Sequence, residues 1–552
     1  MPTRPHPGLD SGTSWRLTRQ SWQGAIAPMK PTPHPSHNGL WPSELRLSSL
    51  AALCLVGLTG CATLASGPEL NLTTAVQPQA ASWSFKASAQ DSGLLNPARS
   101  AAGLSLSADN APSQWWTLFE DPLLTTLQAE AVGGNLDLQT ALLRIQESQA
   151  RLGLTQASAL PVLNFDAGYA RAGLSADSPL AKLGVPTKPY DQWQWGLQAS
   201  WELDLWGHHE RLTESARAQL AATHWALSAA RVTLAADVAR SYLLLRGVQA
   251  QQRLINEHRT IATELLRLTE SRERHGVATQ FDSAAARAEL ATVQARTVQL
   301  EQQQDALLSQ LALLLGQAPH DLDTRLMGST HPVPTPIKLP VGVPSDLVRQ
   351  RPDILQAEAL LRAATADKGA AQADFYPRVS LNAGWSLLTS HSGEVTNWDM
   401  RQFSVGPVVH LPIFDGGRLK RSLDLTDARQ RGAALHWRQT VLKAWHEVAS
   451  ALDSSANEQA RQEQLAQAVH FNTEALNSAR HAWKAGSAEF TTVLVAQRTL
   501  LNAQATLVDS QTASGLAVVA LYRALGQGAA EVRPEQLAQV TTRMTPSAEV
   551  PR

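Results

Sequence analysis

The 552-residue sequence has little cysteine and almost no charge imbalance. Its only cysteines are Cys54 and Cys61, and the signal-peptide interpretation given below removes Cys54, so a disulfide framework is excluded from the mature chain. The net charge of −1 leaves no basic footprint, so no nucleic-acid partner is expected. The length exceeds that of one small domain.

Motifs for catalysis and cofactor binding are also missing. We find no phosphate-binding loop, no dinucleotide fingerprint and no nucleophile elbow. A metal site is suggested by His208, His209 and Glu210. Adjacent histidines on a helix point in different directions, however, so we interpret these residues as the solvated start of a helix. His446 and Glu447 are likewise interpreted as a helix-surface pair. We therefore expect no enzyme, no cofactor and no metal site.

Long apolar runs are absent from most of the chain. After residue 61 no run reaches the about 18 residues that a transmembrane helix needs. A membrane crossing, if there is one, would therefore use strands.

The one marked apolar run occupies residues 47–58, directly after Arg46. Together with the small residues before Cys61, it predicts a secretory signal peptide within residues 1–60. The ending LTGC (58–61) resembles a bacterial lipoprotein signal, which implies acyl chains on Cys61 that anchor the protein in lipid. The alternative is a plain secretory signal with a chance cysteine.

The residues around this signal complete the terminal segments. The residue after Cys61 is Ala62 and not the aspartate that would retain a lipoprotein in the inner membrane. By the same resemblance, this implies sorting to the outer membrane. Met29 is a more ordinary start, so residues 1–28 are interpreted as an extension. Residues 61–114 are rich in Ala, Ser, Gly and Pro and predict an acylated linker. Residues 529–552 are expected to form a disordered tail.

The clearest strand pattern lies in residues 191–207, DQWQWGLQASWELDLWG. Apolar and polar residues alternate over thirteen positions, which predicts a strand with one apolar and one polar face. Its length fits a strand that crosses a bilayer, and tryptophans near both ends fit aromatic girdles. An edge strand of a soluble sandwich is the alternative.

Three other stretches alternate in the same way, and long helical stretches separate the strands. The further strands are predicted around residues 163–170, 379–387 and 403–413. Shorter helices are predicted from Pro122, capped by Asp121, to Leu160, and from Pro352 onward. Apolar residues spaced by seven predict left-handed coiled coils, the longest roughly 100 Å. These long helices are residues 209–275, 277–315, 419–485 and 487–525.

The whole pattern occurs twice. In the first copy, the boundaries of the two long helices are marked by Gly207, Gly276 and Gly316. A glycine recurs 210 residues after each of them, at Gly417, Gly486 and Gly526. The sequence therefore predicts two internal repeats, residues 115–330 and 331–528, each with helix, strand, loop, strand, long helix, turn and helix.

Four membrane strands cannot close a barrel, because open strand edges are excluded from lipid and the smallest closed barrels have about eight strands. The chain is therefore expected to oligomerise. Three copies would supply a 12-strand barrel, and their long helices would supply a coiled-coil cylinder below it. Such an assembly is a conduit.

Several motifs resemble the TolC-like outer-membrane efflux factors, in particular the NodT-type lipoproteins that work with resistance-nodulation-division pumps. The most specific motif, residues 343–354 (VPSDLVRQRPDI), lies between the repeats. Its residues also fit a helix start, with Asp346 as cap, Arg349 and Arg351 paired to neighbours, and Pro352 in the first turn. The other matching motifs are WTLFEDP (116–122), FYPR (375–378), LPIFDGG (411–417) and AQR (496–498).

This resemblance implies a homotrimer with a 12-strand outer-membrane β-barrel, a periplasmic α-barrel, a periplasmic membrane-fusion adaptor and an inner-membrane pump. It places adaptor contacts at the hairpin tips, although tight turns explain the tip glycines equally well. Relatives often close the tip with aspartates on the second hairpin, where this chain has Thr492 and Val495; Asp282 holds the matching place in the first. The expected tip residues are His275, Gly276, Val277, Ala278, Ala485, Gly486, Ser487 and Ala488.

The resulting expectation is a passive outer-membrane exit duct for drugs or other small toxic compounds, opened when the adaptor docks. An exit duct for type I protein secretion has the same shape and remains the alternative. A purely structural coiled-coil lipoprotein is disfavoured, because it would need no amphipathic strands.

Overall fold

The computed structural model describes residues 105–107, 112–327, 338–340 and 350–529. They all belong to one compact unit, Glu69–Arg552. The predicted signal peptide, Cys61, Ala62, most of the linker, Asp346, Arg349 and the tail beyond residue 529 lie outside the described residues.

Seven helices and six strands organise the described residues. The helices are α1 Pro122–Gly134, α2 Leu136–Ala157, α3 His208–Arg274, α4 Gln280–Leu315, α5 Pro352–Ala373, α6 Arg418–Lys484 and α7 Phe490–Ala524. The strands are β1 Ser105–Ser107, β2 Val162–Ala172, β3 Tyr190–Leu203, β4 Lys338–Pro340, β5 Arg378–Thr389 and β6 Arg401–His410. Short helical turns at Trp115–Phe119, Pro179–Lys182, Ser392–Glu394, Trp398–Met400 and Asp323–Leu326 complete the connections.

The four predicted strands form one antiparallel sheet in the order β2-β3-β5-β6. Its register places residues of the same type opposite one another, so the row Phe165, Leu197, Trp385 and Phe403 crosses all four strands. The next row along is Asp166, Gly196, Ser386 and Gln402. The sheet therefore has one apolar and one polar face, as the alternation predicts.

Neither face of this sheet is covered along its outer strands. Nearly every side chain of β2 and β6 is exposed on both faces. The exposed apolar residues of these two strands include Leu163, Phe165, Tyr169, Phe403, Val405 and Val409. A sheet whose apolar face meets solvent is unusual for a soluble domain.

Helix α3 is the centre of the helical region. It packs against α4 in a first hairpin, and α6 packs against α7 in a second one. Helix α5 lies between α3 and α6, and α7 also contacts α3. Among the helices of the described residues, none is long and apolar enough to span a bilayer.

Corresponding helices of the two repeats have equal lengths and are separated by a fixed number of residues. Helices α3 and α6 have 67 residues each, and both begin after a left-handed glycine, Gly207 or Gly417. Their start positions differ by 210, whereas α2 and α5, of 22 residues each, differ by 216. These offsets define which residues of the two repeats are equivalent.

Several predicted boundaries are wrong in detail, among them the start of α7, which is Phe490 rather than 487. The predicted helix 122–160 breaks at Asn135, whose side-chain Oδ1 accepts from the Leu138 amide at 3.0 Å and starts α2. Helix α4 begins at Gln280 rather than 277, because Thr279 caps it. Strand β6 ends at His410, short of 413. Within the predicted linker, β1 pairs in parallel with β4; three residues are too few for a sequence pattern.

The end of each hairpin abuts the start of the short helix of its own repeat unit. In the first repeat, Asn135 Nδ2 donates to the Leu314 carbonyl at 2.9 Å. In the second, Arg351 Nη1 donates to the Ala524 carbonyl at 2.7 Å. Residues 314 and 524 are equivalent, so the two joints use one geometry with different donors.

The Arg351 joint confirms part of the structural interpretation of the motif between the repeats. Pro352 occupies the first turn of α5, and Arg351 forms ion pairs at 2.8 Å with both Asp353 and Glu447. Glu447 is therefore more than a helix-surface residue, since it ties α6 to the start of α5.

Candidate functional site

The two hairpin tips share one backbone geometry. Gly276 and Gly486 adopt left-handed φ values of 71° and 77°, which favour glycine. One residue further, the Val277 amide donates to the Arg272 carbonyl and the Ser487 amide to the Ala482 carbonyl, each at 2.9 Å. This pattern ends helices α3 and α6 in the same way. The glycines are thus explained by turn geometry, whatever else the tips contact.

The predicted contact residues lie together at these turns. Most of them are exposed, and only the alanines at the ends are half-buried. The exposed ones are His275, Gly276, Val277, Ala485, Gly486 and Ser487, and the half-buried ones are Ala278 and Ala488.

Asp282 has a local role in the first tip. The Thr279 amide donates to Asp282 Oδ2 at 2.9 Å, and the Asp282 amide donates to Thr279 Oγ1 at 3.3 Å. This reciprocal capping box satisfies amides at the start of α4. In the second tip the equivalent Thr492 is exposed, and Val495 is 64% exposed on the same side of α7.

A cation–π contact joins the two tips, and the sequence pattern did not reveal it. Trp483 packs against Phe490 with ring centroids 5.6 Å apart. The guanidinium of Arg272, on the other hairpin, lies 4.7 Å from the centre of the Trp483 ring. A cation over an indole face is attractive. Trp483 counted only as a heptad position in the sequence, because nothing local points to Arg272.

Two ion pairs connect helices below the tips. Arg287 on α4 binds Glu270 on α3 at 2.9 Å, which closes the first hairpin. Arg498 on α7 binds Glu289 on α4 at 2.5 Å, which links the hairpins. The AQR motif thus places its arginine in a contact between the hairpins.

The second long helix leaves much more surface open than the first. Helix α3 buries 21 of its 67 side chains and α6 buries seven of its 67. Exposed apolar residues lie along α6 and also along α2 of the first repeat. They are Leu425, Leu435, Leu442 and Phe471 on α6, and Leu136, Leu143 and Leu154 on α2.

Helix α4 shows the same asymmetry. In α7, Leu494, Leu501 and Ala505 are buried, and the two leucines belong to apolar clusters that include Leu265 and Ile255 of α3. Their equivalents in α4, 210 residues earlier, are Ala284, Ala291 and Ala295, and all three are exposed. A surface that is covered in one repeat is therefore open in the other.

Comparisons with known proteins agree with this architecture. The family described as "Outer membrane efflux protein" matches residues 127–317 and 343–527. The pyoverdine export outer membrane protein OpmQ of Pseudomonas aeruginosa is 32% identical over 453 residues, covering 79% of this chain and 92% of OpmQ. The probable outer membrane lipoprotein SilC of Salmonella typhimurium is 28% identical, covering 88% of this chain and 99% of SilC.

A solved structure is similar over most of the chain as well. The outer-membrane channel OprN aligns with a TM-score of 0.72 and 31% identity, covering 77% of this chain and 94% of OprN. With both repeats matched in sequence and the fold matched to a channel, the chain belongs to the outer membrane efflux protein family, of the TolC and NodT type.

Proposed function

We propose that this chain is one third of a passive exit duct through the outer membrane, the last part of a tripartite efflux system. One observation carries the proposal. A two-faced sheet, whose outer strands each have an unpaired side among the described residues, continues directly into helices that are roughly 100 Å long. A closed assembly of such units has a polar interior and an apolar outer band. Drugs or other small toxic compounds would leave through it.

The sheet edges require further copies of the chain. Within the described residues, β2 and β6 each have one unpaired side. Backbone groups in a bilayer must be paired, so an open edge is not tolerated there. Pairing β6 of one copy with β2 of the next closes a 12-strand barrel when three copies join, since each copy supplies four strands.

The open helix surfaces fit the same arrangement. Inside one chain, α5 packs on α3 so closely that a Cβ atom at Gly369 would lie 3.2 Å from Arg211 Cδ. The equivalents are Gly153 on α2, offset by 216, and Arg421 on α6, offset by 210. Gly153 has open space around it, and Arg421 is exposed. In a homotrimer, α2 of one copy would pack on α6 of the next as α5 packs on α3.

This arrangement predicts a covalent link between copies. In a chain with Gly153→Cys and Arg421→Cys, a short bis-maleimide should join the copies into a species of three chains on a denaturing gel. The matched control, Gly369→Cys with Arg211→Cys, should react inside one chain and leave its mass unchanged. Reaction of the control pair while the first pair stays monomeric would contradict the proposed packing.

The hairpin tips are the proposed docking site for a periplasmic adaptor. They lie at the far ends of α3 and α6 from the sheet and present small, exposed residues that another helical hairpin could approach closely. The chain has no energy-coupling motif in its sequence, so transport energy would come from an inner-membrane resistance-nodulation-division pump. Acyl chains on Cys61 would hold the N-terminus in the outer-membrane lipid.

We further propose that the tip closes without an acidic ring. Thr492 and Val495 would face the constriction, with Asp282 held in its capping box. Aspartate in place of Val495 should change the resting conductance in planar bilayers, because three carboxylates would enter a narrow pore. The control is Thr499→Asp, which adds the same charge one turn further along α7. Thr279, at the first tip, is not used as a control because it caps α4. Equal resting conductance in the wild type and Val495→Asp would contradict a constriction at this residue.

The efflux proposal is tested in a deletion strain that retains the partner pump and adaptor. Restoring this gene should restore resistance to several unrelated compounds. Unchanged susceptibility together with the loss of one secreted protein would instead support the type I secretion duct.

A further inference from the structure

Four side chains form a directed hydrogen-bond relay between the two hairpins. Arg480 Nη2 on α6 donates to Gln497 Oε1 on α7 at 2.8 Å. Gln497 Nε2 lies 3.0 Å from His258 Nδ1 on α3, and His258 Nε2 lies 3.1 Å from Gln504 Oε1 on α7. The relay therefore ties α3 to α7, the contact that joins the first hairpin to the second.

The direction of this relay fixes the protonation of His258. A guanidinium can only donate, so the amide oxygen of Gln497 must face Arg480. The amide nitrogen of Gln497 then faces His258 Nδ1, which must accept. His258 Nε2 carries the proton and donates to Gln504. Only a neutral imidazole satisfies all three contacts.

The surroundings of His258 leave no room for another arrangement. The side chain is 5% exposed, and the cavity that it lines with Ala262 and Leu265 has a volume of about 10 Å³, at the lower limit for one water molecule. A second proton on Nδ1 would point at the amide hydrogens of Gln497. Turning that amide around would point the same hydrogens at Arg480.

The charged groups near His258 come from every packed helix. Glu257 lies on α3 itself, Glu289 on α4 and Arg480 on α6. Arg498 on α7 forms an ion pair with Glu289. Burial lowers the pKa of His258. The hydrogen bond to Gln504 and the charges of Glu257 and Glu289 oppose this effect, and Arg480 adds to it. A lowered pKa means that the buried neutral imidazole contributes its full stability above the unfolded-state value of about 6.5, and that this stability is lost as the pH falls from there through the lower folded-state value.

We propose that His258 is an acid-sensitive latch that holds α7 to α3 while neutral and releases it when protonated, which favours opening of the tips. The residue lies sixteen positions before the end of α3 at Arg274, about 24 Å of helix from the tip. Release at this level frees the second hairpin to move outward. The inference rests on the proposed function, because it assigns a regulation to the same conduit.

The test compares the resting conductance of the purified protein in planar bilayers at pH 7.5 and pH 5. The wild type should open more often at the lower pH, with a several-fold rise in conductance. His258→Gln, which cannot be protonated, should show no such rise. Gln497→Glu should also remove it, because its carboxylate accepts from a protonated imidazole and still binds Arg480. Hydrogen-exchange protection of residues 250–265, corrected for the intrinsic exchange rate at each pH, should fall at low pH in the wild type alone.

The outcomes separate the latch from the conduit. Conductance steps that do not respond to pH, or a full response in His258→Gln, would overturn the latch alone. The absence of steps from every protein at both pH values would overturn the proposed conduit, and the latch with it. Because His258→Gln could weaken the hairpin contact by itself, Gln497→Glu provides a variant in which the contact is kept.

Discussion

Arginine in place of Leu197 is expected to abolish assembly of the protein in the outer membrane, whereas arginine at the next residue, Gln198, is tolerated. Leu197 sits in the middle of β3, on the apolar face between Phe165 and Trp385. A charged residue on the lipid face near the bilayer centre costs about 2–4 kcal/mol per copy. Three copies multiply that cost, which is comparable to the total stability of many proteins.

The neighbouring position is a strict control. Gln198 lies between Asn164 and Gly384 on the polar face of the same strand, so arginine there would extend into the aqueous interior. Both variants carry the same added charge one residue apart. Outer-membrane fractionation and gel mobility without boiling would measure the assembled protein. Equal amounts of the two variants in the outer membrane would contradict the assignment of the faces.

Alanine in place of Gly134 is expected to open the joint between the end of α4 and the break that separates α1 from α2. A Cβ atom on Gly134 would overlap the backbone carbonyl oxygen of Leu315, which no side-chain movement can relieve. The helices must separate to accept it, which typically costs about 1–3 kcal/mol and occasionally more. The hydrogen bond from Asn135 to Leu314 would be lost in the same movement.

The preceding residue, Gly133, provides a control that distinguishes the steric effect of the added Cβ atom from the effect of alanine on helix propensity. A Cβ atom at Gly133 has nothing within 4 Å, so Gly133→Ala should be neutral or stabilise the protein by up to about 1 kcal/mol. Thermal unfolding followed by circular dichroism should show a much lower Tm for Gly134→Ala than for Gly133→Ala. A Tm for Gly134→Ala equal to that of the wild type would show that the joint is not closely packed.

Patterns local in sequence predicted the elements well. Alternation located all four strands of the sheet, and the absence of glycine and proline located the long helices. The equivalent glycines located both tips, because a left-handed turn leaves few choices of residue. Asp121 caps α1 as expected, with its side chain accepting from the Leu123 and Leu124 amides.

Contacts between distant segments were beyond the sequence. Asn135 interrupts a helical pattern that continues through it, because the end of α4 must meet the chain there. The partners of Arg351, Trp483 and His258 come from other helices, and no spacing along one helix encodes them. The buried group formed by Asp121, Tyr242 and Arg246 is of the same kind, since Tyr242 receives two guanidinium hydrogens and donates to a carboxylate 121 positions away.

That buried group also shows how the helical region is stabilised. Arg246 is fully buried, and its charge faces Asp121 through the hydroxyl of Tyr242. Burial and the hydrogen bond to Asp121 raise the pKa of Tyr242, so the hydroxyl keeps its proton and can bridge the two charges. Trp115 stacks on Tyr522 nearby, with ring centroids 5.6 Å apart, which joins the two ends of the described residues.

The central claim is that three copies of this chain close into one hollow conduit. Electron cryomicroscopy of the full-length protein purified in detergent tests it most directly. We expect a three-fold symmetric particle, with a band of twelve strands in the detergent belt and a helical cylinder roughly 100 Å long below it. A monomer, or a particle in which β2 and β6 stay unpaired, would contradict it.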